Sequence, residues 1–211
     1  MRFQTPIWRV LGSGVSWLGF TFCFTLLYLS SAVVMGLGGY CASGGPYVIE
    51  TECPDAVVAT TPLSIFGGLA AVALGAYLTR GFGMPLISWA WPILFVGLGA
   101  AFLIASAQPG GITFLIIGVL FVAMGLFPLV LEVRASLQNL LIGTKNVAGV
   151  TFEQGERSRA SYLQFGRWDK TDSDDTVMPT VGDWTLALGI AIVAIGLGIY
   201  FASQLFAALG G

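Results

Sequence analysis

The sequence has 211 residues, of which 56% are hydrophobic and 9% are charged, and its mean hydropathy is +0.85. Soluble globular domains do not carry so many apolar residues, so this composition indicates a polytopic membrane protein with the lipid bilayer as its surroundings. Nine Lys and Arg against eleven Asp and Glu leave a net charge of −2, without the basic excess typical of nucleic-acid binding, so we expect no nucleic-acid partner. The sequence contains no histidine, the commonest metal ligand and general base, and we expect no catalytic, cofactor or metal site.

Five segments are long and apolar enough to cross a membrane as helices. A hydrocarbon core of roughly 30 Å requires about 20 apolar residues in a helix. The segments are residues 15–34, 63–79, 85–106, 112–131 and 184–207, and none of them contains a Lys, Arg, Asp or Glu. The sequence therefore predicts an all-α protein with five transmembrane helices and with its termini on opposite sides of the bilayer.

The first span has two interpretations, because Arg2 and Arg9 precede its apolar run. A cleaved signal peptide has the same charge pattern, but its apolar region is only about 7 to 15 residues long. The uncharged run in this chain extends over residues 10–40. We therefore expect an uncleaved anchor, with residues 1–14 as a cytoplasmic N-terminus.

Residues 36–62 form the predicted external loop between the first and second spans, and this loop contains Cys41 and Cys53. Thiols outside the cytoplasm tend to be oxidised, so the simplest interpretation is a structural disulfide between these two residues. In the chain-entropy model, a disulfide that closes a ring of this size stabilises the fold by roughly 3 kcal/mol. Within the ring, Gly44 and Gly45 are able to reach the positive φ values of a tight turn.

Other interpretations of this loop remain open from the residues alone. A thiol oxidoreductase would use the cysteine pair for disulfide exchange, although the third cysteine, Cys23, lies in the middle of the first span. A structural zinc site normally takes four Cys or His ligands, and the loop has two. An external interaction or ligand loop would use the glycine-rich run and the aromatic ring beside it: Ser43, Gly44, Gly45, Pro46 and Tyr47.

The string CASGGPYVI followed by ECP, ahead of a second span that begins PLSIFGGL, resembles a recurring loop of small actinobacterial membrane proteins. The two cysteines and the SGGPY core are the shared element, and the resemblance covers residues 38–68. It implies an actinobacterial host and a common external loop. It implies no activity.

Small residues recur at helical spacing in three of the spans and predict close contact between helices. They are Gly67, Ala71 and Gly75 in the second span, Gly97, Ala101 and Ala105 in the third, and Ala194, Gly198 and Ala202 in the fifth. We expect these faces to pack inside the protein. The alternative is that they form a surface for another subunit.

Residues 132–183 form the largest water-facing segment. Leucines at helical spacing predict that residues 135–142 continue the fourth helix. Beyond that helix, the strings VTFEQ and SYLQF are typical of two short strands, and we expect the segment to be ordered in part at most.

The distribution of charged residues predicts the orientation, because Lys and Arg are retained on the cytoplasmic side. With the N-terminus inside, all nine Lys and Arg fall in cytoplasmic parts, and the external parts carry only Glu50, Glu52 and Asp55. This distribution predicts an N-in, C-out protein of a bacterial plasma membrane. Residues 132–183 are then cytoplasmic, and residues 184–211 form the fifth helix and an external C-terminus.

Function follows less directly from the residues. Ionisable side chains are absent from the five predicted spans, which argues against a proton-coupled or ion-coupled transporter. The leading hypothesis is a non-enzymatic accessory or scaffold subunit of a plasma-membrane complex, with other integral membrane subunits or further copies of itself as partners. The alternatives are a small permease or channel for a neutral solute, and the thiol oxidoreductase described above.

Overall fold

The computed structural model describes residues 6–43, 50–79, 83–107, 111–142 and 181–211 of the chain. Its elements are α1 (Pro6–Gly36), α2 (Asp55–Thr79), α3 (Leu86–Ala105), α4 (Ile112–Ile142) and α5 (Val181–Ala208). Each of these five helices contains a stretch that is long and apolar enough to cross a membrane. The predicted all-α fold with five membrane-spanning helices is therefore confirmed. The β-pairing seen within the described ranges is one isolated bridge between Ala42 and Glu52.

Helix α2 begins at Asp55, well before the predicted span at residue 63, so the connection after α1 covers residues 37–54 rather than 36–62. The prediction treated the two threonines and Pro62 as loop residues. In the structure, Thr60 Oγ1 donates to the carbonyl of Ala56 at 2.6 Å and Thr61 Oγ1 donates to the carbonyl of Val57 at 2.7 Å. Because each hydroxyl bonds within its own helix, both threonines are accommodated in the first turns of α2.

Glycine ends α1. The N–H of Gly38 bonds to the carbonyl of Met35 at 3.1 Å, and the N–H of Gly39 bonds to the carbonyl of Val34 at 3.0 Å. This pair of bonds is the Schellman arrangement, which requires a left-handed residue after the helix. Gly38 supplies it with φ +98°, and Gly39 follows with φ +92°. Two glycines in sequence thus turn the chain sharply toward Cys41.

Helix α4 continues to Ile142, as the leucine spacing predicts. Its last turns are held against α3 by a tryptophan, since Trp89 Nε1 donates to the carbonyl of Leu140 at 2.9 Å. Leu140 itself is fully buried. The two strands predicted from VTFEQ and SYLQF lie outside the described residues.

Successive helices alternate in direction. Glycines of α1 and α2 meet in antiparallel register, because Cβ atoms added at Gly12, Gly67 and Gly75 would meet Leu78, Cys23 and Ser16. The C-terminal ends of α1 and α5 lie together, in a cluster formed by Leu26, Ala202 and Phe206 with Ala56 of α2. We call this end, which carries the described residues 37–43 and 50–54, the loop end. The N-terminus of α1 and the C-terminus of α5 therefore lie at opposite ends of the bundle, as five crossings require.

Helix α1 lies at the centre of the bundle and packs against three other helices. It packs extensively against α2 and α5 and less extensively against α3, whereas α4 packs mainly against α3. The largest core cluster joins Trp17 and Phe20 of α1 to Ala71 of α2, Leu86 of α3 and Ala194 of α5. Trp17 is fully buried, and its Nε1 donates to the carbonyl of Met84 at 3.0 Å, which ties α1 to the turn before α3.

Candidate functional site

The small residues predicted from their spacing are turned toward α1. In α2, a Cβ atom added at Gly67 would lie 2.6 Å from Cys23 Sγ, and a Cβ atom added at Gly19 of α1 would lie 3.4 Å from Ala71 Cβ. In α3, Gly97 faces the ring of Phe24, and Ala101 and Ala105 cluster with Met35. In α5, Gly198 faces Thr21, Ala194 joins the cluster around Trp17, and Ala202 joins the cluster around Leu26. All three faces lie inside the bundle.

A fourth set of small residues, which was not predicted from the sequence, lies between α3 and α4. Gly99 of α3 and Gly118 of α4 meet so closely that a Cβ atom on either one would lie 3.0 Å from the other's carbonyl oxygen. One heptad further along α4, a Cβ atom on Gly125 would lie 3.0 Å from the backbone nitrogen of Val96. The seven-residue spacing of Gly118 and Gly125 was the available signal, and it places both glycines on one face of α4.

The predicted disulfide is present. Cys41 and Cys53 are bonded with their Cα atoms 5.0 Å apart. The chain on both sides of the bond is paired, since the N–H of Ala42 donates to the carbonyl of Thr51 and the N–H of Cys53 donates to the carbonyl of Ala42, both at 3.0 Å. Because the two sulfur atoms are bonded to each other, neither is a thiolate in this state and neither can act as a thiolate ligand for a metal.

The third cysteine is far from this pair. Cys23 is a free thiol buried in the contact between α1 and α2. At 1.5 Å of rise per residue it lies about 20 Å along α1 from the helix end that leads to Cys41. The structure therefore does not bring the three cysteines together as a thiol relay would require.

The predicted interaction loop is placed only in part. Ser43 is exposed next to the Ala42–Glu52 bridge. Gly44, Gly45, Pro46 and Tyr47 lie outside the described residues. The flanking acids Glu50, Glu52 and Asp55 are exposed, which makes the described part of the loop end acidic at its surface.

A cavity of about 230 Å³ lies at the loop end between four helices. We call it the loop-end cavity. Its apolar walls come from Leu27, Val34 and Met35 of α1 and from the rings of Phe102 in α3 and Phe114 in α4, whose centroids are 6.1 Å apart. Gly39 closes it on the side of the disulfide, where a Cβ atom would lie 3.0 Å from Phe114 Cζ. Met35 also lines a second, smaller cavity of about 110 Å³ toward Tyr28 and Ala101.

Three residues that carry hydroxyl groups line the loop-end cavity: Ser30, Ser31 and Thr61. Behind them, Ser30 Oγ and Thr60 Oγ1 form a buried hydrogen bond of 2.7 Å that links α1 to α2. These residues form two doublets, Ser30–Ser31 and Thr60–Thr61, near the loop ends of adjacent helices. Sequence analysis missed the site because the α2 threonines were assigned to the loop. The two doublets would have predicted a polar contact between α1 and α2 if the threonines had been assigned to α2.

The loop-end cavity and the disulfide are neighbours in the chain and in space. Gly39 lines the cavity, and Cys41 follows two residues later. This arrangement has the character of a small binding pocket with apolar walls and a few polar groups, without any described ionisable side chain in its lining. Comparison with family models, with curated proteins and with solved structures finds no match to this chain.

Proposed function

We propose that this chain is a non-enzymatic accessory or scaffold subunit of a complex in a bacterial plasma membrane. The observation that supports this role most directly is the construction of the interior, in which the small-residue faces of α2, α3 and α5 all pack onto α1. An interior filled by close helix packing suits a protein that acts through its outer surface and its loop.

The polar groups of the interior support the same role. Ser16 Oγ donates to the carbonyl of Gly12 and Thr21 Oγ1 donates to the carbonyl of Trp17, both at 2.7 Å. Such hydroxyls are satisfied within their own helix and serve packing. Proton transfer, by contrast, requires titratable groups in sequence across the membrane.

The proposed orientation is N-in and C-out, with residues 143–180 in the cytoplasm. The alternation of the helices puts the start of α1, the end of α4 and the start of α5 at the end opposite the loop. In the sequence, the segments that join at that end contain all nine Lys and Arg. Retention of basic residues in the cytoplasm supports this orientation, and the likeness of the loop to those of actinobacterial membrane proteins supports a bacterial plasma membrane.

Purification of a tagged chain from its native membrane in a mild detergent tests the scaffold role. We expect one or more integral membrane proteins to co-elute in a fixed ratio, identified by mass spectrometry. The Cys41→Ser/Cys53→Ser double variant should lose or weaken this association, because the loop that presents the disulfide loses its constraint.

Cys23→Ser is the matched control for that experiment, because it changes the buried thiol and leaves the loop intact. It should retain the partner. The proposal is wrong if the unmodified chain elutes without a stoichiometric partner and the same preparation moves a solute across liposomes.

A small permease or channel for a neutral solute is the second candidate, and the loop-end cavity favours it. The cavity offers hydroxyl groups and aromatic rings, which suit an uncharged molecule. Counterflow of a labelled neutral solute in liposomes that contain only this chain would support the permease, and co-elution with a partner that is itself the transporter would support the scaffold.

A further inference from the structure

We propose that the loop-end cavity binds a small uncharged molecule that has an apolar body and one hydrogen-bond donor, such as a hydroxyl or amide N–H. This proposal is independent of the scaffold role, because it rests on the lining of the cavity alone. The molecule is either a free solute or the hydroxyl-bearing part of a lipid, since both sources have the same chemistry.

The preference for a ligand with a donor follows from the positions of the protons on Ser30, Thr60 and Thr61. A hydroxyl group has one proton and two lone pairs. Thr60 Oγ1 uses its proton on the carbonyl of Ala56, at 2.6 Å, so in the 2.7 Å contact between the two hydroxyls Ser30 must be the donor. Thr61 Oγ1 likewise uses its proton on the carbonyl of Val57. Ser30 and Thr61 can therefore only accept a further hydrogen bond, and a ligand with a donor can satisfy them. Ser31, which also lines the cavity, has no hydrogen bond to another described residue and can either donate to a ligand or accept from it.

We expect the ligand to be uncharged because the described lining offers no counter-charge. Within the described residues the cavity wall consists of aliphatic, aromatic, thioether and hydroxyl groups and one glycine. An ion transferred into such surroundings without a counter-charge pays a large desolvation cost. An ammonium or carboxylate ligand is thereby disfavoured.

The size follows from the volume. At about 30 Å³ per non-hydrogen atom, the share of one water molecule in the liquid, the cavity holds roughly eight such atoms. A single substituted aromatic ring fits this volume and also matches the rings of Phe102 and Phe114 on the wall. A complete lipid acyl chain exceeds it, so a lipid would insert only one end.

Three isosteric probes test the proposal on the full-length chain in lipid nanodiscs: benzyl alcohol, benzaldehyde and ethylbenzene. Benzyl alcohol carries a donor, benzaldehyde carries only an acceptor, and ethylbenzene carries neither. Dissociation constants come from ligand-observed NMR titrations, with protein-free nanodiscs subtracted. We expect benzyl alcohol to bind about threefold to tenfold more tightly than the other two, as a single net hydrogen bond allows. Equal binding of all three overturns the proposal.

Thr61→Val removes one hydrogen-bond acceptor from the cavity wall with almost no change in side-chain volume. Thr79→Val is its matched control, since Thr79 lies in the same helix and bonds only to the carbonyl of Gly75. Thr61→Val should reduce the preference for benzyl alcohol over ethylbenzene by about threefold, without weakening ethylbenzene binding. An unchanged preference in Thr61→Val, or an equal reduction in Thr79→Val, contradicts the assignment of acceptors.

Ser31→Leu fills the cavity, and Ser203→Leu makes the same change on α5, where Ser203 bonds to its own helix. Saturable benzyl alcohol binding should be lost in the first variant and kept in the second. Binding that survives Ser31→Leu overturns the site. Competition by a monoacylglycerol in the nanodisc identifies a lipid hydroxyl as the source of the donor, and lack of competition identifies a solute; both outcomes support the donor chemistry.

Discussion

At Gly198 the contact between α1 and α5 involves the backbone of the opposite helix. A Cβ atom there would meet Thr21 Oγ1, and it would also lie 2.9 Å from the carbonyl oxygen of Leu18 and 3.0 Å from the nitrogen of Phe22. A flexible side chain can move aside, but the backbone of a helix cannot do so without moving the helix. Gly198 therefore sets the distance between the two helices.

Gly198→Ala should lower the free energy of unfolding by about 1–3 kcal/mol, because overpacking forces backbone shifts. The measurement is reversible unfolding of the purified chain in mixed micelles, titrated with a denaturing detergent. Gly196→Ala on the same helix is the control, since a Cβ atom there has no neighbour within 4 Å. Alanine is the better helix former, so the control should be neutral or stabilising. Equal destabilisation by both changes would contradict the close contact at Gly198.

Single residues were predictable where the chemistry is local. The disulfide was predicted from two cysteines in one connection between spans, and the burial of Cys23 follows from its place within an apolar span. The hydroxyl pair of Ser30 and Thr60 was not predictable, because it depends on the register between two helices. That register results from interlocking side chains along the whole contact, which a pattern within one helix does not contain.

At the scale of elements, α4 is the least enclosed helix. It packs mainly against α3, and large side chains such as Ile116 and Phe127, which are 64% and 69% exposed, cover its outer surface. Its attachment depends on the close approach at Gly118 and on two tryptophans, since Trp89 bonds to the carbonyl of Leu140 and Trp91 to that of Met124. In a membrane, contacts between helices rely on such packing and hydrogen bonds rather than on the hydrophobic effect.

Gly118→Leu should separate α4 from α3, because a Cβ atom at this position already lies 2.8 Å from Leu103 Cγ and 3.0 Å from the carbonyl oxygen of Gly99. Spin labels at Ile104→Cys and Leu115→Cys, both exposed positions, would report the change in a background without other free cysteines. The distance distribution between the labels should shift to larger values and broaden. Gly189→Leu is the control, since Gly189 has no neighbour within 4 Å. An unchanged distribution in Gly118→Leu would show that the glycine contact does not hold α4.

The elements themselves were largely predictable, because apolar length decides whether a segment spans a membrane. The start of α2 was not, since polar residues and a proline look the same in a loop and in the first turns of a helix whose hydroxyls bond internally. The small-residue faces predicted close packing but not the helix on the other side. That all three faces meet α1 is a property of the bundle, and the loop-end cavity, built from four helices, is another.

At the scale of the whole molecule, the bundle has two chemically different ends. At the loop end the described charges are acidic and exposed, namely Glu50, Glu52 and Asp55. At the other end Arg9 is buried in the first turns of α1 and Arg134 is exposed on α4. The chain passes from one end of the bundle to the other with each helix, because each helix runs in the direction opposite to that of the one before it. A membrane potential and the insertion machinery both distinguish such ends, so the orientation is expected to be unique.

Single cysteines test the N-in, C-out orientation in a variant whose three native cysteines are replaced by serine. Glu52→Cys and Gly211→Cys lie at the loop end, and Val181→Cys lies at the opposite end, where Val181 is 81% exposed. A membrane-impermeant maleimide added to intact cells should label the first two positions and should label Val181→Cys only after the membrane is permeabilised. Labelling of Val181→Cys alone in intact cells would mean the reverse orientation. Labelling of Glu52→Cys without Gly211→Cys would mean that an odd number of helices crosses the membrane between them, whereas the four helices α2 to α5 put both positions on the same side. Permeabilised cells separate this outcome from shielding of the C-terminal end of α5, because a shielded cysteine stays unlabelled there as well.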